Sequence, residues 1–178
     1  MTNSRSTREE FPEGLPDLLA PNLKVIFCGI NPGLRAASSG HHFAGRGNRF
    51  WKVLHLAGFT PMQILPEFDR SILQYGYGLT TAVRRPTGRA DELVQSEFST
   101  AAEDLGHKIA KFRPHRIAFL GKPAFAAMYR RGHTKWGYQT NPVEGIETWV
   151  LPNPSGLNRG FRLDDLVVVY RELYLSMK

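Results

Sequence analysis

The chain has 178 residues, enough for one domain with a proper core, and 42% of them are hydrophobic. Its 23 lysines and arginines against 16 acidic residues give a formal net charge of +7, which favours a polyanionic partner without deciding for one. The single cysteine, Cys28, excludes an internal disulfide and an all-cysteine zinc site, and no apolar run approaches the roughly 20 residues of a membrane span.

Residues 1–16 are mostly polar and of mixed charge, and they predict a flexible tail in front of one domain over residues 17–178. The start of the chain has no secretory apolar segment. We therefore expect a cytoplasmic protein with no membrane partner. We also expect a monomer.

The first half of the domain predicts two strands with a helix between them. Residues 23–29 are an apolar, branched run that ends at a glycine, which is typical of a buried strand. From Phe50 onward apolar side chains recur at helical spacing, with Asn48 as the expected N-cap and Gly58 as the stop. Residues 78–83 predict a weaker strand.

In the second half, helices again alternate with strands. A helical face spans residues 98–112, and residues 116–121 predict a strand. A helix follows with Pro123 near its start, where a missing N–H costs little. Residues 147–152 predict the last strand and residues 163–177 the last helix. This alternation predicts an α/β fold, namely a single three-layer α/β/α domain with a short, mostly parallel central sheet.

Ligands of such sheets bind at the carboxyl ends of the strands, where the first predicted strand continues into Gly-Ile-Asn-Pro-Gly at 29–33. Pro32 biases Asn31 away from helix, and the two glycines allow a ligand to approach closely. The Asn31 amide can orient a water through its carbonyl oxygen, but it cannot act as a strong base. An Asn-Pro turn without function is the alternative, since these residues dominate turns.

The loop after the last predicted strand carries Asn-Pro-Ser-Gly-Leu-Asn-Arg at 153–159. Leu157 stands alone among polar neighbours on a stiff loop, which suits a wedge between base steps. Arg159 is placed to contact a phosphate or a base edge. Alternatively, Leu157 is a staple that packs onto the final helix.

Two further segments are basic. Residues 40–51 combine aromatics, arginines and glycines, as a surface for base stacking and phosphate binding would. Within this segment His41 and His42 are adjacent, which is poor spacing for metal ligands. We therefore expect them to be solvated or to lie near a phosphate. Residues 84–89 predict either a phosphate-binding loop or a solvated charge run. We predict neither a metal nor a cofactor.

Together these motifs resemble those of the mismatch-specific uracil/thymine-DNA glycosylases, within the uracil-DNA glycosylase superfamily. The resemblance rests on Gly-Ile-Asn-Pro-Gly at 29–33, Asn-Arg-Phe-Trp-Lys at 48–52 and Asn-Pro-Ser-Gly-Leu-Asn-Arg at 153–159. Shorter matches are Arg-Pro-Thr at 85–87, Leu-Gly-Lys at 120–122 and Trp-Gly at 136–137. It covers nearly the whole chain from Leu18 onward.

The resemblance implies a hydrolase of base excision repair that flips a uracil-type base, mispaired with guanine, out of double-stranded DNA and cleaves its N-glycosidic bond. Asn31 would position the attacking water, Phe43 would stack on the flipped base, and Leu157 would enter the stack beside the orphaned guanine. The other implied contacts are Ile30, Gly33 and Asn153 to the substrate, and Gly156, Asn158, Arg159, Arg49 and Lys122 to DNA.

Two departures from relatives bear on substrate range, which includes thymine and ethenocytosine as open possibilities. Ala36 lies where bacterial relatives have serines, and Thr81 lies where a relative has lysine. Asn31 provides an amide and not a carboxylate at the water site, and Asp91 is the nearest acidic candidate in the basic loop that could compensate. A non-catalytic mismatch sensor would not need Asn31, and a nucleotide or nucleoside hydrolase would have little use for Leu157.

Overall fold

The computed structural model of the protein describes residues 14–178, and residues 1–13 of the predicted tail lie outside them. Inside the described range, the last residues of that segment already pack on the domain. Leu15 is buried, and the carbonyl of Pro16 accepts a hydrogen bond of 2.8 Å from His42 Nε2. The packed domain therefore includes residues 14–16, before the predicted boundary at residue 17.

A five-stranded sheet forms the middle layer of the domain. The strands are β1 (Val25–Gly29), β2 (Tyr77–Thr81), β3 (Arg116–Leu120), β4 (Gly137–Val143) and β5 (Ile146–Leu151). Their order is β2-β1-β3-β5-β4, and all neighbours are parallel except β4, which runs antiparallel to β5 at one edge. This confirms the four predicted strands and the α/β class.

The sequence analysis did not predict β4 because this strand lacks an apolar face. Its buried positions include Gly137 and Gln139, its other residues are mostly exposed, and Pro142 interrupts the run. A proline is tolerated there because the strand lies at the edge of the sheet.

The four predicted helices are confirmed, and one short helix and two 3₁₀ segments were not predicted. Gly58 ends the first predicted helix at φ 104°, as expected. The expected N-cap, Asn48, was wrong by one residue: Arg49 is at the N-cap, and the side-chain oxygen of Asn48 accepts from the Phe50 N–H at 3.0 Å from the position before it. The helices are α1 (Leu34–Ser39), α2 (Phe50–Ala57), α3 (Gln95–Phe112), α4 (Lys122–Tyr129) and α5 (Leu163–Leu175), with 3₁₀ segments at Pro66–Tyr75 and Ala90–Glu92.

The helices cover both faces of the sheet, with a separate apolar core on each side. α2 packs with α5 over one face, around Phe27 and Tyr170, and α3 packs with α4 over the other, around Phe119. Cys28 lies in the second core, where burial raises the pKa of its thiol to about 12. The thiol is therefore protonated and inert at neutral pH. Within residues 14–178, no helix has the length and apolar character needed to cross a bilayer.

The topology gathers the loops of interest at one edge of the sheet. β1 is followed in sequence by its neighbour β2, and the chain then crosses to β3 on the other side of β1. The loops that leave β1 and β3 therefore diverge and open a crevice at their carboxyl ends. Gly121 lines it closely, since a β-carbon there would lie 3.3 Å from Ile30 Cδ1.

Candidate functional site

The amide of Asn31 is held rigidly by the loop that follows β2. Its Nδ2 donates to Thr87 Oγ1 at 2.7 Å and to the Arg85 carbonyl at 2.9 Å. Because that carbonyl can only accept, the group that faces it must be the NH2, which fixes the orientation of the amide. The Oδ1 atom is directed the other way and makes no hydrogen bond within residues 14–178. It is available to accept one from a water.

The sequence analysis missed Thr87, which joins the two loops. Thr87 is 4% exposed; its Oγ1 donates to the Arg89 carbonyl at 2.7 Å, and its N–H donates to the Pro32 carbonyl at 3.1 Å. The only available signal was the Arg-Pro-Thr match at 85–87, because the partner of Thr87 lies 56 residues away in sequence. The loop that seemed a basic surface is thus also the support of Asn31.

The arginines of this loop differ in how they are paired. Arg85 donates to both oxygens of Glu97 at 2.8 and 3.0 Å, and this contact, with a backbone N–H, lowers the pKa of Glu97 to about 2. Arg84 is exposed and forms no ion pair within the described part of the chain. Asp91 pairs with Arg89 at 2.8 Å, and the Arg89 contact lowers the pKa of Asp91. Asp91 is therefore an ionised surface carboxylate that is engaged by Arg89.

Phe43 forms an aromatic platform beside the end of β1. Its ring stacks on the fully buried Phe50 at a centroid distance of 3.8 Å and 23° between planes. Its edge closely approaches Gly29, where a β-carbon would lie 3.7 Å from the ring. Phe43 has a φ of 56°, a left-handed conformation that costs energy for a non-glycine residue. The half-buried ring has one face covered by Phe50, so a planar ligand would stack on the other.

The prediction of solvated histidines next to Phe43 was wrong for His42. This residue is 2% exposed, its N–H donates to Asp69 Oδ2 at 2.9 Å, and its carbonyl accepts from Trp51 Nε1 at 3.0 Å. Burial lowers the pKa of the imidazole. His41 is half-buried, with its Nδ1 3.7 Å from Asp69 Oδ2. These contacts fix the backbone on which Phe43 is mounted.

Asn153 lies next to Gly121, which Ile30 also approaches. Its Cβ is 3.8 Å from a β-carbon built on Gly121. Its Oδ1 accepts from the Ser155 N–H at 3.0 Å, whereas its Nδ2 makes no hydrogen bond within residues 14–178. The free NH2 therefore remains a donor for a ligand. Gly33 is exposed and has open space where a side chain would stand.

Residues 152–162, which we call the wedge loop, connect β5 to α5 and expose one large apolar side chain. Leu157 is 74% exposed, so the alternative interpretation, in which it packs as a staple on the final helix, was wrong. Arg159 is exposed and forms no ion pair within residues 14–178. Gly156 fits closely against the neighbouring loop, because a β-carbon there would lie 2.8 Å from the Gly47 carbonyl oxygen.

Three residues predicted to contact DNA have partners inside the protein. The Arg49 guanidinium donates to carbonyls of the wedge loop, and both ends of the Asn158 amide bond within it, to the Asn153 carbonyl at 2.8 Å and from the Gly160 N–H at 3.3 Å. The Lys122 ammonium lies 4.3 Å from the ring centroid of Trp136. Lys122 keeps donors for a phosphate, whereas the Arg49 and Asn158 side chains are committed to the loop.

The gathered groups are an oriented amide, an aromatic platform, a free NH2 and an exposed apolar tip. Their position at the carboxyl edge of a mostly parallel sheet defines an α/β enzyme with its site at the ends of the strands. Among the described residues, no cluster of three or more His, Cys, Asp or Glu side chains could hold a metal.

Comparison with known proteins identifies the family. Residues 16–173 match the model of the Uracil DNA glycosylase superfamily, so the chain belongs to that superfamily and to the class of DNA glycosylases. It is also similar to a solution NMR structure of a Methanosarcina acetivorans protein assigned as a uracil DNA glycosylase. The TM-score is 0.59 at 23% identity, over 92% of this chain and 98% of that one. At this identity the similarity concerns the fold.

Proposed function

We propose that the protein excises uracil, and also damaged pyrimidines such as ethenocytosine, or thymine, when they are mispaired with guanine in double-stranded DNA. The observation that carries the proposal is the Asn31 amide, whose Nδ2 is fixed by Thr87 and Arg85 while its Oδ1 remains free. An acceptor oriented in this way suits a water nucleophile better than it suits a structural turn.

The first step is extrusion of the mispaired nucleotide. Unstacking a base costs a few kcal/mol, and the cost is least for a mispaired base, which favours a G·U pair over A·U. Leu157 is the side chain able to fill the vacated position, because it is exposed at the tip of a constrained loop. Arg159 and the backbone of Gly156 are next to it and face the orphaned guanine in this proposal.

The second step is cleavage in the crevice. The flipped base stacks on the open face of Phe43, and backbone groups near Ile30 and Phe43, with the Asn153 NH2, bind its polar edge. The C1′–N bond breaks with its electron pair going to the base, and the water held by Asn31 adds to C1′ and loses a proton to solvent. An amide cannot take that proton, so we expect slow chemistry that depends on leaving-group stabilisation.

The test is a single-turnover assay on a labelled duplex with one central G·U pair, followed by alkaline cleavage of abasic sites. We expect strand scission with the wild-type protein and its loss with Asn31→Ala. The matched control is Asn141→Ala, because Asn141 also precedes a proline but lies exposed in the edge strand β4. Undiminished scission by Asn31→Ala would contradict the proposal.

Substrate panels separate this proposal from its alternatives. Selective binding of G·U over G·C duplexes without any turnover would indicate a mismatch sensor. Hydrolysis of free mononucleotides would indicate a nucleotide hydrolase. Duplexes with G·U, G·T, A·U and ethenocytosine, with the matching single strands, would then rank the lesions and define the contribution of the opposite guanine.

A further inference from the structure

Between its two ends, over residues 153–161, the wedge loop is hydrogen-bonded to the rest of the described chain through one side chain, that of Arg49. The guanidinium donates to four carbonyls: Pro154 at 3.3 Å, Ser155 at 2.9 Å, Asn158 at 2.9 Å and Phe161 at 2.6 Å. The backbone N–H of Arg49 also donates to the Pro154 carbonyl at 3.0 Å. These carbonyls lie on both sides of Leu157, so Arg49 closes the loop from behind.

The tip of the loop has little else to define its position. Leu157 is 74% exposed and therefore gains almost no orientation from packing. Short side-chain contacts shape the loop internally, such as Ser155 Oγ accepting from the Leu157 N–H at 3.2 Å. Such contacts fix local turns but do not join the loop to the domain. Between the ends of the loop, that connection comes from Arg49 and from the contact of Gly156 with Gly47. The ends themselves are held by Tyr170 Oη, which donates to the Pro152 carbonyl at 3.0 Å, and by the Phe161 ring, which packs edge-on against Trp136.

The geometry of arginine is needed for this arrangement. A planar guanidinium has five N–H donors in a rigid fork, whereas a lysine ammonium is a compact point charge that cannot reach four carbonyls spread over eight residues. Arg49 forms no ion pair within residues 14–178. Its positive charge is therefore balanced by carbonyl dipoles, and the hydrogen bonds are of the stronger, charge-assisted kind.

Arg49 also connects the two halves of the site. The next residue, Phe50, begins α2 and carries the ring on which Phe43 stacks. One helix end therefore fixes both the base platform and the wedge loop. We propose that Arg49 is a positioning residue that holds Leu157 ready to displace a base, and that it acts on base flipping rather than on bond cleavage. This inference rests on the proposed function.

Hydrogen exchange of the free protein tests the positioning without DNA. In Arg49→Gln and Arg49→Lys, we expect faster exchange of the amides of Leu157 and Asn158, which are protected by Ser155. Arg171→Gln is the matched control. Like Arg49, Arg171 donates to a backbone carbonyl, but its acceptor is Leu56 in α2 and not a residue of the wedge loop. Unchanged exchange in both Arg49 variants would overturn the inference, whatever the protein does to DNA.

Kinetics test the consequence. Under single-turnover conditions with saturating protein, Arg49→Gln should slow excision from a G·U duplex by about tenfold or more, the loss expected for charged hydrogen bonds. Excision from a single strand, which needs no displacement, should change by less than about threefold. Arg49→Lys should resemble Arg49→Gln although it keeps the charge. The double variant with Leu157→Ala should be no slower than Leu157→Ala alone.

The outcomes separate the two proposals. Equal losses on single strands and duplexes, full activity of Arg49→Lys, or additive losses with Leu157→Ala would each overturn the role of Arg49 in flipping. A wild-type protein that excises no uracil from any substrate would instead refute the proposed function. In that case, the exchange of the wedge loop would still decide whether Arg49 positions it. Thermal midpoints of the variants, compared with Arg171→Gln, show whether a lost activity reflects unfolding.

Discussion

Replacing Thr87 by valine tests whether the orientation of Asn31 limits the chemistry. The substitution keeps the shape of the buried side chain but removes an acceptor 2.7 Å from Asn31 Nδ2 and a donor to the Arg89 carbonyl. The Arg85 carbonyl still holds the other proton of the amide, so Asn31 is loosened rather than released. One net hydrogen bond contributes about 1 kcal/mol, which predicts roughly a fivefold slower cleavage step.

The assay is single-turnover excision from a G·U duplex, with Thr148→Val as the matched control. Thr148 is also fully buried and bridges two backbone groups, accepting from the Val143 N–H and donating to the Ile146 carbonyl, each at 2.9 Å. Both variants should lower the thermal midpoint, but only Thr87→Val should slow excision. Thr87→Ser should recover the rate because it restores the hydroxyl. An unchanged rate in Thr87→Val, or an equal loss in Thr148→Val, would refute the reasoning.

Three other predictions concern the wedge, the basic loop and the buried histidine. Leu157→Ala should slow excision from duplexes more than from single strands, and equal rates on both would exclude a wedge. Arg84→Gln should lower the slope of log binding constant against log salt concentration by about one unit for duplex DNA. Arg85→Gln should lower this slope less, because the wild-type Arg85 is already paired with Glu97. Binding titrations at several salt concentrations measure both slopes. Burial lowers the pKa of His42, so the stability that its neutral form gives is complete above pH 6.5 and is lost as the pH falls below that value. The free energy of unfolding, measured by denaturation between pH 7.5 and 5, should show this loss in the wild type, at most about 1.4 kcal/mol per pH unit. The control His107→Gln should keep the loss, and His42→Gln should remove it.

The sequence predicted the fold where apolar spacing determines it. β1, β3 and β5 are buried on both faces, so their residues form nearly continuous apolar runs. β4 escaped detection because an edge strand can be polar and can hold Pro142. The site was predicted only in part. The position of the loops at the strand ends can be predicted from the topology, but the hydrogen-bond partners of their side chains cannot.

Arg49 shows why those partners could not be predicted. An arginine between glycines and aromatics has the composition of a phosphate contact, and its carbonyl partners lie more than 100 residues away in sequence. Leu157 is the opposite case, because two interpretations were open and its exposure excludes only packing on the final helix, while its role as a wedge stays a prediction. The roles given to Asn31, Phe43 and Asn153 in binding and cleavage stay predictions, since they concern a substrate.

Acidic residues near the edge of the site are paired with arginines. The surface can therefore attract a polyanion although these carboxylates are close to it. Glu97 is bound to Arg85, Asp91 to Arg89, and Asp165 to Arg162, so these carboxylates are neutralised locally. In the three loops that surround the crevice, Arg46, Arg84 and Arg159 are exposed and form no ion pair with the described residues. Because their charge is uncompensated, we expect the surface to attract phosphates, and under the proposed function the weakly basic amide of Asn31 should leave the cleavage step slow. DNA association should therefore be strongly dependent on salt, whereas the single-turnover rate at saturation should not be.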